Sequence, residues 1–212
     1  MSDVAKPARE RGRASKPSRG GLFDVASGQG GYFTAAQALA CGFSRALLAH
    51  HVKSGRFVRV RRGLYRFREY PASPREHVLA AWLAAGKDTA VVSHESALDL
   101  LDLSDVIPDA VHLTVPRTRR NLPSLSGAKI HTTSRALESE DLVVRDGMAV
   151  TSATRSILDA AEAGMAPDQV EAAVRQALDR GLATRERLLP KASKRGRRVA
   201  ELIARAISRL DG

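Results

Sequence analysis

Seven side chains in one short stretch share a chemistry: Arg45, His50, Lys53, Arg56, Arg59, Arg61 and Arg62. All are hydrogen-bond donors that carry, or readily take up, positive charge. Residues 25–68 hold eight Lys or Arg and not one Asp or Glu. Residues 1–68 hold fourteen basic and three acidic residues, a surplus of +11 that equals the formal net charge of the whole chain. Residues 69–212 hold twenty of each sign and balance to zero. A solvated surface normally mixes its signs. Donors concentrated without acceptors suit phosphate neutralisation, and a planar guanidinium also matches the two acceptors of a guanine edge. The pattern implies contact with duplex DNA.

The elements that must position these groups are legible nearby. Thr34 fits the N-cap of a short helix through Leu39, and Cys41-Gly42-Phe43 a tight turn. Ser44 then caps a second helix to about Ser54, which Gly55 stops. At about 100° per residue, Leu47, Leu48 and Val52 share one face of that helix and Arg45, Ala49, His50 and Lys53 the other. Arg45 in the first turn opposes the helix dipole, a small cost that a DNA contact would offset. Two β-rich runs, 56–60 and 64–68, flank Arg61-Arg62-Gly63. Helix, turn, helix and basic hairpin are the order of a winged helix-turn-helix. Leu22 to Ala26 is expected in that domain's first helix.

Other chemistry finds little support. Ser93-His94-Glu95-Ser96 sets a hydroxyl, an imidazole and a carboxylate in a row, but neighbours at a helix start do not face one another. Ser93 is expected to be a plain N-cap. No Asp-x-Lys or Glu-x-Lys pair of the kind metal-dependent nucleases use occurs, and Gly28 to Gly31 lacks the Lys-Ser/Thr of a P-loop. One cysteine excludes an internal disulfide and a Cys-based zinc site. The six His show no paired-ligand spacing, and the adjacent His50 and His51 point to different sides of a helix. The chain is therefore expected to carry no catalytic residues, no metal and no cofactor. No apolar run is long enough to cross a bilayer and no secretory signal appears, so the expected location is cytoplasmic.

The fold class expected is α+β, with three segments. Residues 1–21 read as a disordered basic arm, 22–70 as the winged helix-turn-helix, and 73–212 as a mixed domain with a helical C-terminus. In the last segment Ser73 and Glu76 suggest a capping box with Pro74 at the first helical position. Short strands are expected at 90–92, 111–115 and 127–133, and an Asp146-Gly147 hairpin between 142–144 and 148–150. Three helices close the chain, over 151–164, 168–178 and 197–210. Aromatics make up only 4% of residues, which implies a core of Ala, Leu and Val. Residues 187–212 hold eight basic and two acidic residues, a second basic patch open either to a solvated-face reading or to contact with nucleic acid or an acidic partner.

Taken together, the stretches GYFTAAQALACGFSRALLAHHVKSGRFVRVRRGLYR, VSHESALDLLDL, VHLTVPRTRR, KIHTT and MAVTSATRSILDAAEAG resemble the AbiEi-type antitoxins of type IV toxin–antitoxin systems. They span about residues 30–164. The resemblance implies a winged helix that binds operator DNA and represses the antitoxin's own operon. It also implies a second domain that counters a nucleotidyltransferase-like toxin, with no membrane involved. Arg45, His50 and Lys53 on the helix and Arg59, Arg61 and Arg62 on the wing are the positions to which DNA contact carries over. Some longer relatives add an endonuclease-like domain, and none is expected in these 212 residues. A free-standing regulator with a ligand-sensing second domain is the alternative reading.

Overall fold

The computed structural model describes residues 16–210. Among them the chain divides between Pro71 and Ala72 into two units. Both mix helices and strands, as an α+β class requires.

The first unit begins with α1 (Arg19–Ser27), capped where the Ser18 hydroxyl accepts from the Gly21 amide. Residues 1–15 of the expected arm lie outside the described residues. Its last three, Arg19 to Gly21, are a helix turn, because that cap starts α1 earlier than its apolar residues suggest. Next come β1 (Tyr32–Thr34), α2 (Ala35–Ala40), α3 (Arg45–Lys53), β2 (Phe57–Arg61) and β3 (Leu64–Phe67). Thr34 and Gln37 form a reciprocal capping box on α2. The Ser44 hydroxyl accepts from the Leu47 amide at the start of α3. Gly55, at φ +75°, takes the left-handed turn that ends α3. The strand β1 was not foreseen, since three residues are too few to show alternation; it pairs with β3, giving an antiparallel sheet ordered β1-β3-β2. Phe33, Phe43, Phe57 and Phe67 form the middle of the core with Leu22, Ala26, Ala38 and Leu48. Phe57 and Phe67 meet edge to face at 4.9 Å. This unit holds all five Phe and all three Tyr of the chain, so the expected aliphatic core describes only the second unit.

That unit contains α4 (Glu76–Ala85), β4 (Val91–Val92), α5 (His94–Leu100), β5 (Val111–Pro116) and β6 (Ala128–Thr133). The hairpin β7 (Leu142–Arg145) and β8 (Met148–Thr151) follows, then α6 (Ala153–Ala163), α7 (Pro167–Asp179), α8 (Arg185–Ser193) and α9 (Arg197–Ser208). The sheet order is β6-β5-β4-β8-β7, with β5–β6 and β4–β8 parallel and the other pairs antiparallel. Asp146 and Gly147 both have positive φ, +51° and +75°, as a two-residue hairpin turn of the primed type needs. Residues 111–115 are all buried, so both faces of β5 are covered. Leu98, Ile157, Val170, Leu188 and Ile203 join the layers of α5 to α9 into one aliphatic core.

Two expectations need correction here. The capping box at Ser73 does not form: α4 starts at Glu76 behind Arg75, which makes no cap bond and instead reaches Asp102 and the Asp99 carbonyl. The helix α8 was also missed, because Pro190 sits inside it and its flanks are polar; Leu188 and Ala192 nonetheless bury its inner face.

Candidate functional site

In the first unit α3 presents Arg45, Ala49, His50 and Lys53 to solvent and turns Leu48 into the core. Arg56 precedes β2, and Arg59 is exposed on it. Arg61 and Arg62 form the hairpin tip with Gly63, whose φ of +77° closes the turn. The β2–β3 register shifts between Arg59 and Arg61, and such a bulge adds local twist at the tip. His50 faces out, while His51 is half-buried and packs on Phe57 at 4.9 Å. Burial and the nearby Arg56 charge push the His51 imidazole below its ordinary pKa.

The bonding of the eight Lys and Arg between 25 and 68 sorts them. Arg66 donates to the carbonyls of Tyr70 and Pro71 at 2.8 and 2.9 Å, and Arg68 to the Gly55 carbonyl at 2.5 Å. Those two brace the hairpin. Arg45, Lys53, Arg56, Arg59, Arg61 and Arg62 have no side-chain hydrogen bond or ion pair among the described residues. Six cations without internal partners, on a helix and an adjoining hairpin, leave their donors available to phosphates and base edges.

The basic residues of the C-terminal segment behave differently. Lys191 pairs with Glu140 at 2.5 Å, and Arg195 with Asp159 at 2.7 Å and with Glu162. Arg197 pairs with Glu201 at 2.6 Å and Arg209 with Glu171. Arg198 donates to the carbonyls of Ala161 and Glu162. Lys191, Arg195, Arg198 and Arg209 thus tie the C-terminal segment to other elements, while Arg187 and Lys194 make no side-chain bond among the described residues.

A second constellation escaped the sequence reading altogether. His94, His112 and His131 converge, with one ligand nitrogen from each inside 4.8 Å of the others. The His94 ring stacks on His131 at 3.6 Å, and His112 Nδ1 lies 3.3 Å from His131 Nε2. Pairing puts Thr114 opposite His131 and leaves His112 two residues away on the same face. Ser93 occupies the N-cap of α5 but caps nothing: its Oγ meets His94 Nδ1 at 2.9 Å and accepts from Thr114 Oγ1 at 2.8 Å. His94 has φ +54°, a region that costs a residue of this size about 1–3 kcal/mol. Burial and then the neighbouring His131 push the His94 imidazole down to about 2. Burial, His112 and Lys129 push His131 down to about 4, and His112 is lowered by burial and Lys129. A polar cavity of about 410 Å³ opens beside His94 and His131, lined also by Arg155, Asp159 and Arg195. No spacing in the sequence marks this cluster, because sheet register assembles it.

The first unit is a winged helix-turn-helix of the DNA-binding type, with a three-stranded sheet and a basic hairpin. Residues 22–68 match a family described as "Transcriptional regulator, AbiEi antitoxin", which bears out the resemblance read from the sequence over that domain. Among solved structures the chain is similar to "Crystal structure of RV2827C protein from Mycobacterium tuberculosis", with a TM-score of 0.60 and 18% identity over 88% of this chain and 74% of that one. At that identity the likeness speaks for the fold. No curated protein matches. Among the described residues no helix is long and apolar enough to cross a membrane.

Proposed function

We propose that this chain is a cytoplasmic antitoxin and autorepressor. Its winged helix binds operator DNA of its own operon, and its second unit counters a nucleotidyltransferase-like toxin. The observation that carries the DNA half is the set of six cations on α3 and the β2–β3 hairpin segment that have no partner among the described residues, within the segment that matches the antitoxin family. Arg45 stands in the first turn of α3, the part of a recognition helix that reaches base edges, and is assigned the specific contact. Lys53, Arg56, Arg59, Arg61 and Arg62 are assigned to phosphates, with His50 beside them on the helix face. The toxin half follows from the family resemblance together with a second unit that has its own core and caps.

A growth assay separates the two halves. The toxin is expressed from an unrelated promoter, beside either the native chain or the double variant Arg61→Ala, Arg62→Ala. Both chains should rescue growth, and only the native chain should retard a fragment of its own promoter in a gel. Failure of the native chain to rescue from that unrelated promoter, while it still retards its own, would mean that protection is transcriptional and the second unit is idle.

A further inference from the structure

The proposed function leaves three histidines of the second unit without a task. We propose that His94, His112 and His131 bind a divalent cation of the zinc class, with a fourth coordination position open to the adjoining cavity.

The sheet supplies the geometry. His112 lies on β5, His131 on β6, and His94 directly after the Ser93 that follows β4, so three neighbouring strands each deliver one imidazole. His112 Nδ1 and His131 Nε2 are 3.3 Å apart. Two nitrogens at Zn–N of about 2.0–2.1 Å in a tetrahedral site stand about 3.3 Å from each other. Without an ion, one of that pair must carry a proton and donate to the other; with one, both lone pairs face the metal.

His94 is prepared in a different way. When its Nδ1–H donates to Ser93 Oγ, Nε2 keeps the lone pair and is the coordinating atom. Thr114 fixes that serine in turn. Metal-ligating histidines are commonly held by such a partner on the far nitrogen. The backbone of His94 is kept in a left-handed conformation unusual for its size, and strain of this sort collects where a group must be held in place. Burial shifts all three imidazoles towards the unprotonated form, the one that ligates.

Glu95 and Asp109 group with His112 but not with His94 or His131, and Asp159, in the wall of the cavity, is not a fourth ligand. Asp159 already accepts from Arg155 at 2.8 Å and pairs with Arg195 at 2.7 Å. Three protein nitrogens and an open position describe a zinc site that exchanges water for a ligand rather than a closed structural one.

The test uses the untagged full chain, stripped with chelator and then titrated with Zn²⁺ or Co²⁺. One ion per chain should bind, with the visible d–d bands of nitrogen-ligated Co²⁺ and a melting temperature that rises with free Zn²⁺. His131→Ala, at a half-buried position, should weaken binding by more than about 100-fold, and Ser93→Ala by about 10–100-fold. His77→Ala, at an exposed histidine of the same unit, should leave affinity unaltered. Circular dichroism checks folding, and His131→Gln serves if the alanine variant unfolds. A native chain that takes up no ion, or binding that both His131 variants retain in full, overturns the site.

Discussion

Two sets of cations, one in each unit, are used in opposite ways. In the first, Arg45, Lys53, Arg56, Arg59, Arg61 and Arg62 have no partner among the described residues. In the second, Arg155, Lys191, Arg195, Arg197 and Arg209 all end on carboxylates, and Arg180 on the carbonyls of Leu101 and Asp102. Their cores differ as sharply, rings in one and small aliphatics in the other. A local count of charge treats the two basic stretches alike. Pairing separates them, because a cation satisfied inside the fold has little left to offer a phosphate.

The most severe break in that contrast is Asp159→Ala. The Asp159 side chain is 4% exposed and lies between Arg155 and Arg195. Stranding buried charge costs about 3–5 kcal/mol. The lower end is expected, since Arg155 keeps Asp141 and Arg195 keeps Glu162. Urea unfolding followed by fluorescence of Trp82, the chain's one tryptophan, reports on the second unit alone. A loss under about 1 kcal/mol would rank the network with ordinary surface pairs and erase the contrast.

Salt tests the other side. Six cations on phosphates should make operator affinity fall by roughly 10³-fold between about 50 and 200 mM salt. Fluorescence anisotropy with a labelled promoter fragment measures it. A nearly flat response would mean that these unpartnered cations serve something other than nucleic acid.

Within the reading surface, Arg45 and the hairpin tip should separate. Arg45→Ala should remove about 1–3 kcal/mol of discrimination between operator and unrelated duplex. Arg61→Ala with Arg62→Ala should weaken both duplexes alike. Competition gel shifts decide it: equal loss of specificity from the two changes would leave Arg45 with no special role.

Why one unit could be read from sequence and the other only in part is a matter of distance along the chain. Thr34, Ser44, Gly55 and Gly63 act within a few residues, so the helices and hairpin of the first unit follow from local signals. The Asp146-Gly147 turn of the second unit is equally local. The partners of the C-terminal cations are not: Lys191 reaches Glu140 and Arg195 reaches Glu162 across the helix layer. The histidine cluster depends on β5 and β6 pairing in one particular register, which no pattern within either strand specifies. Ser93 misled for a related reason, since a serine before a helix reads as a cap until Thr114 and His94 are seen to hold its hydroxyl.

The smallest effect sharpens the comparison inside the first unit itself. Arg62 and Arg68 are both exposed arginines of the hairpin segment, and composition cannot tell them apart. Arg62 bonds to nothing described, whereas Arg68 Nε donates to the Gly55 carbonyl at the end of α3. Replacing Arg62 with Ala therefore removes no internal contact, and stability should stay within about 0.5 kcal/mol of the native chain. Replacing Arg68 with Ala removes a charge-assisted bond that ties β3 to the turn after α3. That should cost about 1 kcal/mol in the unfolding transition of the first unit, followed by its tyrosines. DNA affinity should move the other way round, falling for Arg62→Ala and holding for Arg68→Ala wherever the unit stays folded. If Arg68→Ala lowers affinity as much as Arg62→Ala with stability unchanged, then Arg68 leaves Gly55 to meet the phosphate. Internal bonding would then no longer separate bracing cations from reading ones.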